Sequence, residues 1–249
     1  MRILLVPARL LYTVYGFALV AATSIAFGLF YRLAVVPWLP GWIDAVPRAW
    51  GRFTLALLTR CELRGLENLP DGPCALLANH ASFLDIPLVQ SLPRNVRFVA
   101  KRLFARLPAF GIVIRTRGDI VVDKTAGGAA QDSRAVRESV AEGCGAEVLA
   151  LWKEERRDRV LVVYAEGTRS RDGQLRPFRT RYLARHIVRA GLPVVPAAIE
   201  GTHRLWPPGL KLLDFSRLRL TLTAPVLAAD ADELLARAHA QVAAVLGRE

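Results

Sequence analysis

The sequence predicts an α/β domain with a mixed central sheet flanked by helices, preceded by an N-terminal hydrophobic helical segment suited to membrane anchoring. Three observations lead there. From Leu63 onward, short apolar runs alternate with helical stretches, the pattern of a sheet with crossover helices. Two of those runs end in turns dense with polar side chains, Asn79 to Asp85 and Glu166 to Ser170, and open α/β sheets carry ligands at that edge. Ahead of both, Leu10 to Tyr31 contains no charged side chain and is bracketed by Arg9 and Arg32. A run that long can cross the hydrocarbon core of a bilayer as a helix.

Taken in order, the N-terminal run is too long, and too poor in small-x-small cleavage sites, to read as a cleaved signal peptide. A spanning helix, a membrane-embedded hairpin and an interfacial helix all fit, because more apolar sequence follows from Leu33 to Ile43, broken by Pro37 and Pro40, and again from Phe53 to Leu58. Trp38, Trp42 and Trp50 suit the headgroup belt, where an amphipathic ring is comfortable. Residues 1–60 are therefore expected to form the anchor and residues 61–249 the globular domain. The expected strands of that domain are Cys74–Ala78, Val96–Ala100, Ile120–Val122, Val160–Tyr164, Val194–Ile199 and Leu218–Thr223. A mixed sheet is expected because the gap between Val96–Ala100 and Ile120 holds little convincing helix. Val136, Val140, Cys144, Val148 and Trp152, at four-residue spacing, predict an amphipathic helix between Asp132 and Asp158 with a charged tail. The alanine-rich run Ala231 to Leu246 predicts a surface helix.

Composition narrows the partners. A chain of 249 residues has room for one large domain and a sizeable core. Hydrophobic residues make up 53% and mean hydropathy is +0.27, an excess seated mainly at the N-terminus. The net charge of +12, mostly from arginine, attracts polyanions: nucleic acid, anionic lipid or phosphorylated substrates. The apolar N-terminus argues against nucleic acid. Cys61, Cys74 and Cys144 form no CxxC pair and read as reduced thiols, and the four histidines are scattered without metal-ligand spacing.

Chemistry concentrates in two stretches. In Asn79-His80-Ala81-Ser82-Phe83-Leu84-Asp85, the apolar run before it reads as a buried strand and Ser82 as an N-cap, with Asp85 in the first helical turn. His80 then lies in the turn, where Asp85 can reach one ring nitrogen and leave the other free to accept a proton from a hydroxyl. In the second stretch, Val160 to Tyr164 gives a strand and Gly167 a sharp turn that presents Glu166, Thr168 and Arg169. An arginine, a hydroxyl and backbone N–H groups at such a turn suit a phosphate. A basic cluster of Lys101, Arg102, Arg106, Arg115 and Arg117 is read either as a solvated face or as a site for anionic headgroups.

Together these stretches resemble the membrane-bound glycerolipid acyltransferases of the 1-acylglycerol-3-phosphate (lysophosphatidic acid) acyltransferase, or PlsC, type. Asn79-His80 through Asp85 is similar to the family's NHxxxxD block, and Glu166 to Ser170 to its EGTRS block. Lys101, Leu103, Pro108 and Gly111 resemble KxL…PxxG, Gly118 to Lys124 resembles GxxxxDR, and Pro193-Val194-Val195-Pro196 resembles the proline-flanked strand. The chain departs from the pattern at Ala165, where proline is usual, at Lys124, where arginine is usual, and at Arg181, where a PF-basic-x-G segment has glycine. The stretch from Asp132 to Asp158 is also longer than the family usually has.

The resemblance implies transfer of a fatty acyl group from a thioester, acyl-CoA or acyl-carrier protein, to the free hydroxyl of a lysophospholipid, giving phosphatidic acid from 1-acylglycerol-3-phosphate. His80 and Asp85 would be catalytic, with Glu166, Gly167, Thr168, Arg169, Lys101 and Lys124 binding substrate and backbone N–H groups near Gly167 as oxyanion donors. No metal or bound cofactor is implied. Another lysolipid acceptor, such as a lyso-amino-acid lipid, and a non-catalytic membrane-surface binding protein are the rival readings. The implied site is the cytoplasmic face of the inner membrane, among membrane lipids.

Overall fold

The computed structural model describes residues 5–122, 159–209 and 213–247. Among them, seven strands form one sheet: β1 (Cys61–Arg64), β2 (Cys74–Ala78), β3 (Asn95–Lys101), β4 (Ile120–Val122), β5 (Arg159–Tyr164), β6 (Val194–Glu200) and β7 (Leu218–Leu222). Their spatial order is β1-β7-β6-β2-β5-β3-β4. Strands β6, β2, β5, β3 and β4 are parallel, β7 is antiparallel to β6, and β1 is parallel to β7. The longer helices are α1 (Leu5–Phe30), α2 (Ala45–Leu58), α3 (Asp85–Gln90), α4 (Pro108–Arg117), α5 (Arg181–Arg189) and α6 (Ala231–Leu246).

The sheet is mixed, but not for the expected reason. The gap between β3 and β4 does hold helix, a turn at Arg102–Ala105 and then α4, and the two strands are parallel. Pro108 and Gly111 disguise α4 in the sequence. Proline is harmless at the start of a helix, where its N–H is not needed, and Gly111 sits where an added Cβ would come within 2.2 Å of the Ala105 carbonyl. The reversal of chain direction comes instead at β6–β7. Strand β1 is not among the expected strands, because this four-residue edge strand carries two charged residues and buries none of its four. The expected helix between Asp132 and Asp158 lies outside the described residues.

The pleat of β2 sends Cys74, Leu76 and Ala78 to one face of the sheet and Ala75 and Leu77 to the other. All five are buried, so this central parallel strand reads as a continuous apolar run without alternation. On the first face the core is completed by Leu55 and Leu58 of α2, Leu84, Leu88 and Val89 at α3, and Val20 of α1. On the second it is completed by α5 and α6. Helix α6 starts where Asp230 caps it, accepting from the N–H groups of Asp232 (2.8 Å) and Glu233 (2.9 Å).

The helical run Val6–Trp38 is long and apolar enough to cross a membrane. Its regular pitch breaks at a π-helical turn, Tyr31–Val35, just before Pro37, which cannot donate to the ladder. One side of α1 is fastened to the domain along its length. The Arg9 guanidinium donates to the Leu213 carbonyl, Tyr12 and Tyr15 to the carbonyls of Leu58 and Leu57, and Phe17 packs on Trp206. Further along, Thr54 donates to the Thr23 hydroxyl, and Tyr31 shares a 2.8 Å hydrogen bond with Thr116. The other side exposes Leu10, Leu11, Val14, Ile25, Leu29 and Leu33. Of the three tryptophans expected in a headgroup belt, Trp38 and Trp42 are exposed, but Trp50 is buried with its ring edge-on to Phe110. It shares the inner face of α2 with Thr54 and Leu58 at helical spacing.

The end of this segment is locked to the sheet by charge. Asp44 stands at the N-cap of α2 but does not cap it, because its carboxylate accepts from Arg97 of β3 at 2.5 and 3.1 Å. The Arg117 Nε lies 3.4 Å from the same carboxylate, and its guanidinium also donates to Gln90 and to the Val96 carbonyl. Arg117 is thus buried, not part of an exposed basic cluster, and Arg115 folds back onto the Ala105 carbonyl. Burial alone would raise the Asp44 pKa; the Arg97 hydrogen bonds and the charges of Arg97, Arg117 and Arg159 outweigh it and hold it below 3.8. The stabilisation is therefore complete above the ordinary aspartate range and is lost as pH falls through the depressed value. Asp44→Ala leaves two buried guanidiniums without their carboxylate and should cost about 3–5 kcal/mol, read as a lower urea midpoint at neutral pH that narrows toward wild type in strong acid.

Candidate active site

The carboxyl ends of β2 and β5 diverge into the two polar turns, and the chain fastens each turn to its neighbours with side chains where the backbone ladder stops. Asn79 acts as a substitute strand residue toward β6: its Nδ2 donates to the Ile199 carbonyl (2.9 Å) and its Oδ1 accepts the Ile199 N–H (2.7 Å). On the other flank the His80 N–H donates to Glu166 Oε1 (3.0 Å), and the His80 carbonyl accepts the Ser170 N–H (2.7 Å). The polypeptide at His80 is thereby held from both sides before its side chain does anything.

Asp85 is fully buried at the start of α3. Its Oδ2 accepts from His80 Nδ1 at 2.6 Å and from the N–H groups of Ala81 (2.8 Å) and Ser82 (2.9 Å). With Nδ1 donating to the carboxylate, the lone pair of the neutral ring is on Nε2. The imidazole side chain keeps 16% of its surface in the open. Tyr164, the last residue of β5, stacks on its face with ring centroids 3.9 Å apart.

Ser82 makes the reciprocal bonds with Leu84 and Asp85 expected of a capping box, although the regular helix begins only three residues later, with Leu84 at the cap. Its hydroxyl donates to the Trp206 carbonyl (2.7 Å) and accepts the Leu84 N–H (3.2 Å), which ties the turn to the segment after β6. Asp85 reaches back to the Ala81 and Ser82 N–H groups, as the third residue of a capping box reaches back to its cap. Helix α3 is itself seated by α2: Gly51 lies where an added Cβ would come within 2.7 Å of the Pro87 carbonyl.

In the second turn, Gly167 has φ +73°, a left-handed conformation that suits glycine. Its N–H donates to the Tyr164 carbonyl (3.0 Å) and so is not free as an oxyanion donor. Glu166 is buried, with one oxygen on the His80 N–H and the other on the Arg176 N–H (3.3 Å). Burial raises its pKa, against those two hydrogen bonds and the nearby His80. Thr168 and Arg169 are exposed and bond no other described residue. Asp172 braces the loop, accepting from Ser170 Oγ (2.8 Å), the Gln174 N–H (3.1 Å) and Arg176 (2.7 Å). Lys101 closes β3 at the same edge of the sheet, and Lys124 lies outside the described residues. No cluster of three His, Cys, Asp or Glu suited to a metal ion occurs among the described residues. The structure adds Tyr164, Asn79 and Trp206 to the residues shaping the site.

The site is thus an imidazole held by a buried carboxylate at the carboxyl edge of a mostly parallel sheet. A family model described as Acyltransferase matches residues 60–200, and the chain belongs to that family. It is 28% identical over 201 residues to the chloroplastic 1-acyl-sn-glycerol-3-phosphate acyltransferase BAT2 of Brassica napus, covering 80% of this chain but only 54% of that relative. It is 29% identical over 205 residues to the lyso-ornithine lipid O-acyltransferase of Pseudomonas aeruginosa, covering 80% of this chain and 69% of the relative. The crystal structure of the 1-acyl-sn-glycerophosphate acyltransferase PlsC from Thermotoga maritima shares the fold, with a TM-score of 0.75 over 96% of both chains at 22% identity.

The bonding at Asp85 predicts unequal costs for its two partners. Asp85→Ala orphans the buried Ala81 and Ser82 N–H groups, at about 1–3 kcal/mol for each. His80→Ala leaves both bonded and should lower the unfolding midpoint far less. Parallel denaturant melts of the two variants check this, and equal losses would mean that Asp85 does not brace the turn.

Proposed function

We propose that this chain transfers a fatty acyl group from an acyl thioester, acyl-CoA or acyl-carrier protein, to the free hydroxyl of a lysophospholipid, 1-acylglycerol-3-phosphate first, giving phosphatidic acid. The observation that carries this reading is the His80–Asp85 pair, 2.6 Å apart at the sheet edge, beside a turn that exposes Arg169. His80 Nε2 takes the hydroxyl proton as the acceptor oxygen attacks the thioester carbonyl carbon. Asp85 stabilises the imidazolium that forms. Collapse of the tetrahedral intermediate breaks the carbon–sulfur bond, and the imidazolium returns the proton to the departing sulfur. The products are an ester and a thiol, and the base is regenerated.

Arg169 and Thr168 are the groups proposed to hold the acceptor phosphate, with Lys101 and Lys124 assigned to the same substrate by family resemblance. Glu166 and Gly167 serve by shaping the turn. A second acceptor reading is favoured by one observation: the lyso-ornithine lipid enzyme matches at 29% identity, level with the 28% of the glycerol-phosphate enzyme. A panel of lysolipids and acyl donors with mass-spectrometric product detection decides between the two, and no product from any pair would favour a non-catalytic binding protein.

The outer, apolar side of α1 is proposed to lie in the cytoplasmic leaflet of the inner membrane, with both ends of the chain on the cytoplasmic side. The bonds that join this helix to its domain from Arg9 to Tyr31 support a placement within one leaflet over a crossing. Positive charge near membrane segments tends to stay cytoplasmic, and the chain carries +12.

His80→Ala should lower turnover by about 10²–10⁴-fold while the protein stays folded; near wild-type turnover would remove the base from the mechanism. Arg169→Ala should raise the acceptor KM or lower kcat/KM at a cost of about 1.5–3 kcal/mol, with donor KM unchanged. A defect toward the donor alone would move Arg169 to the donor side. In sealed right-side-out vesicles, single cysteines at Ile3 and Ala244 should both resist an impermeant thiol reagent until the membrane is opened. Labelling of either from outside would overturn the same-side arrangement.

A further inference from the structure

The contact the family motifs leave unexplained is the ring on the open face of the base. Tyr164 lies on His80 with ring planes 14° from parallel and centroids 3.9 Å apart, and Phe98 of β3 continues the stack behind it, 18° from parallel at 6.3 Å. A hydrogen bond from Nδ1 to Asp85 fixes one atom of the imidazole but leaves the ring free to swivel about that bond. A face contact removes the swivel. The hydrogen bond and the stack together set the direction of Nε2.

We propose that Tyr164 is a positioning residue for His80, its ring holding the plane of the imidazole and favouring the imidazolium over the neutral base. This inference rests on the reading of His80 as the general base. A cation over an aromatic face is drawn to the negative centre of the ring quadrupole, whereas a neutral imidazole gains only stacking. The ring therefore helps most when the proton has arrived. The hydroxyl is not the active part: it is buried with no hydrogen-bond partner among the described residues. Burial, and then the charge of Asp85, push its pKa well above 10, so it stays a neutral phenol around His80. The titratable groups that touch His80 among the described residues are Asp85 at Nδ1, Glu166 at the backbone N–H, and Tyr164 itself.

The test is a histidine-labelled NMR titration of the full-length protein in detergent, with the His80 signal assigned by its loss in His80→Ala. Tyr164→Phe keeps the ring and should leave the His80 titration midpoint where it is in wild type. Tyr164→Leu should move it down by about 0.4–1.5 pH units, the range that cation–π energies span at 1.36 kcal/mol per unit. Pentafluorophenylalanine at 164 keeps the shape and reverses the charge on the ring face, so it should move the midpoint the same way even if the leucine variant does not fold. An unchanged midpoint in a folded leucine or pentafluorophenylalanine variant overturns the proposal. The acidic limb of kcat/KM, measured with 1-oleoylglycerol-3-phosphate and oleoyl-CoA, separates the two readings. A midpoint that moves without the limb, or turnover that survives His80→Ala, refutes the base and leaves the Tyr164–His80 coupling standing.

Discussion

One carboxylate oxygen organises the functional edge of this molecule. Asp85 Oδ2 accepts from the imidazole and from two consecutive backbone N–H groups, so the orientation of the His80 ring and the path of the turn that carries it are the same constraint. A carboxylate this buried is tolerable only because its charge is met by several donors at once.

Around that oxygen, side chains replace the ladder where parallel strands part. Asn79 bridges to β6, Glu166 bridges from the turn after β5 to His80, and Ser82 bridges to Trp206. Each bond joins segments far apart in the chain, so the edge is cross-linked although it is made of turns. Thr168 and Arg169 are the exposed polar groups of the second turn.

Much of this was legible in the sequence because parallel strands buried on both faces are apolar throughout, and the residues after them are conspicuously polar. β2, β5 and β6 and the neighbours His80, Asp85 and Glu166 are of this kind. What escaped depends on distant partners. β1 has no apolar run because an edge strand needs none, and α4 begins at a proline and carries Gly111, residue types that usually end helices. Arg117 and Trp50 read as surface or interface residues by type, but Asp44 and Gln90 await the one and Phe110 the other. Tyr164 looked like the end of a strand because stacking leaves no mark in local spacing.

One side of α1 is packed on the domain and the other is exposed and apolar, and this bears on how the exposed apolar surface of the protein could be reduced. Deleting everything before residue 60 would strip Val20, Leu55 and Leu58 from the core and take Asp44 away from Arg97 and Arg117. The alternative is to keep the helix and rewrite its outer side. Glutamate, lysine and glutamine at Leu10, Leu11, Val14, Ile25 and Leu29 would replace exposed apolar surface, while Tyr12, Phe17, Val20 and Thr23 continued to fasten the helix to the domain.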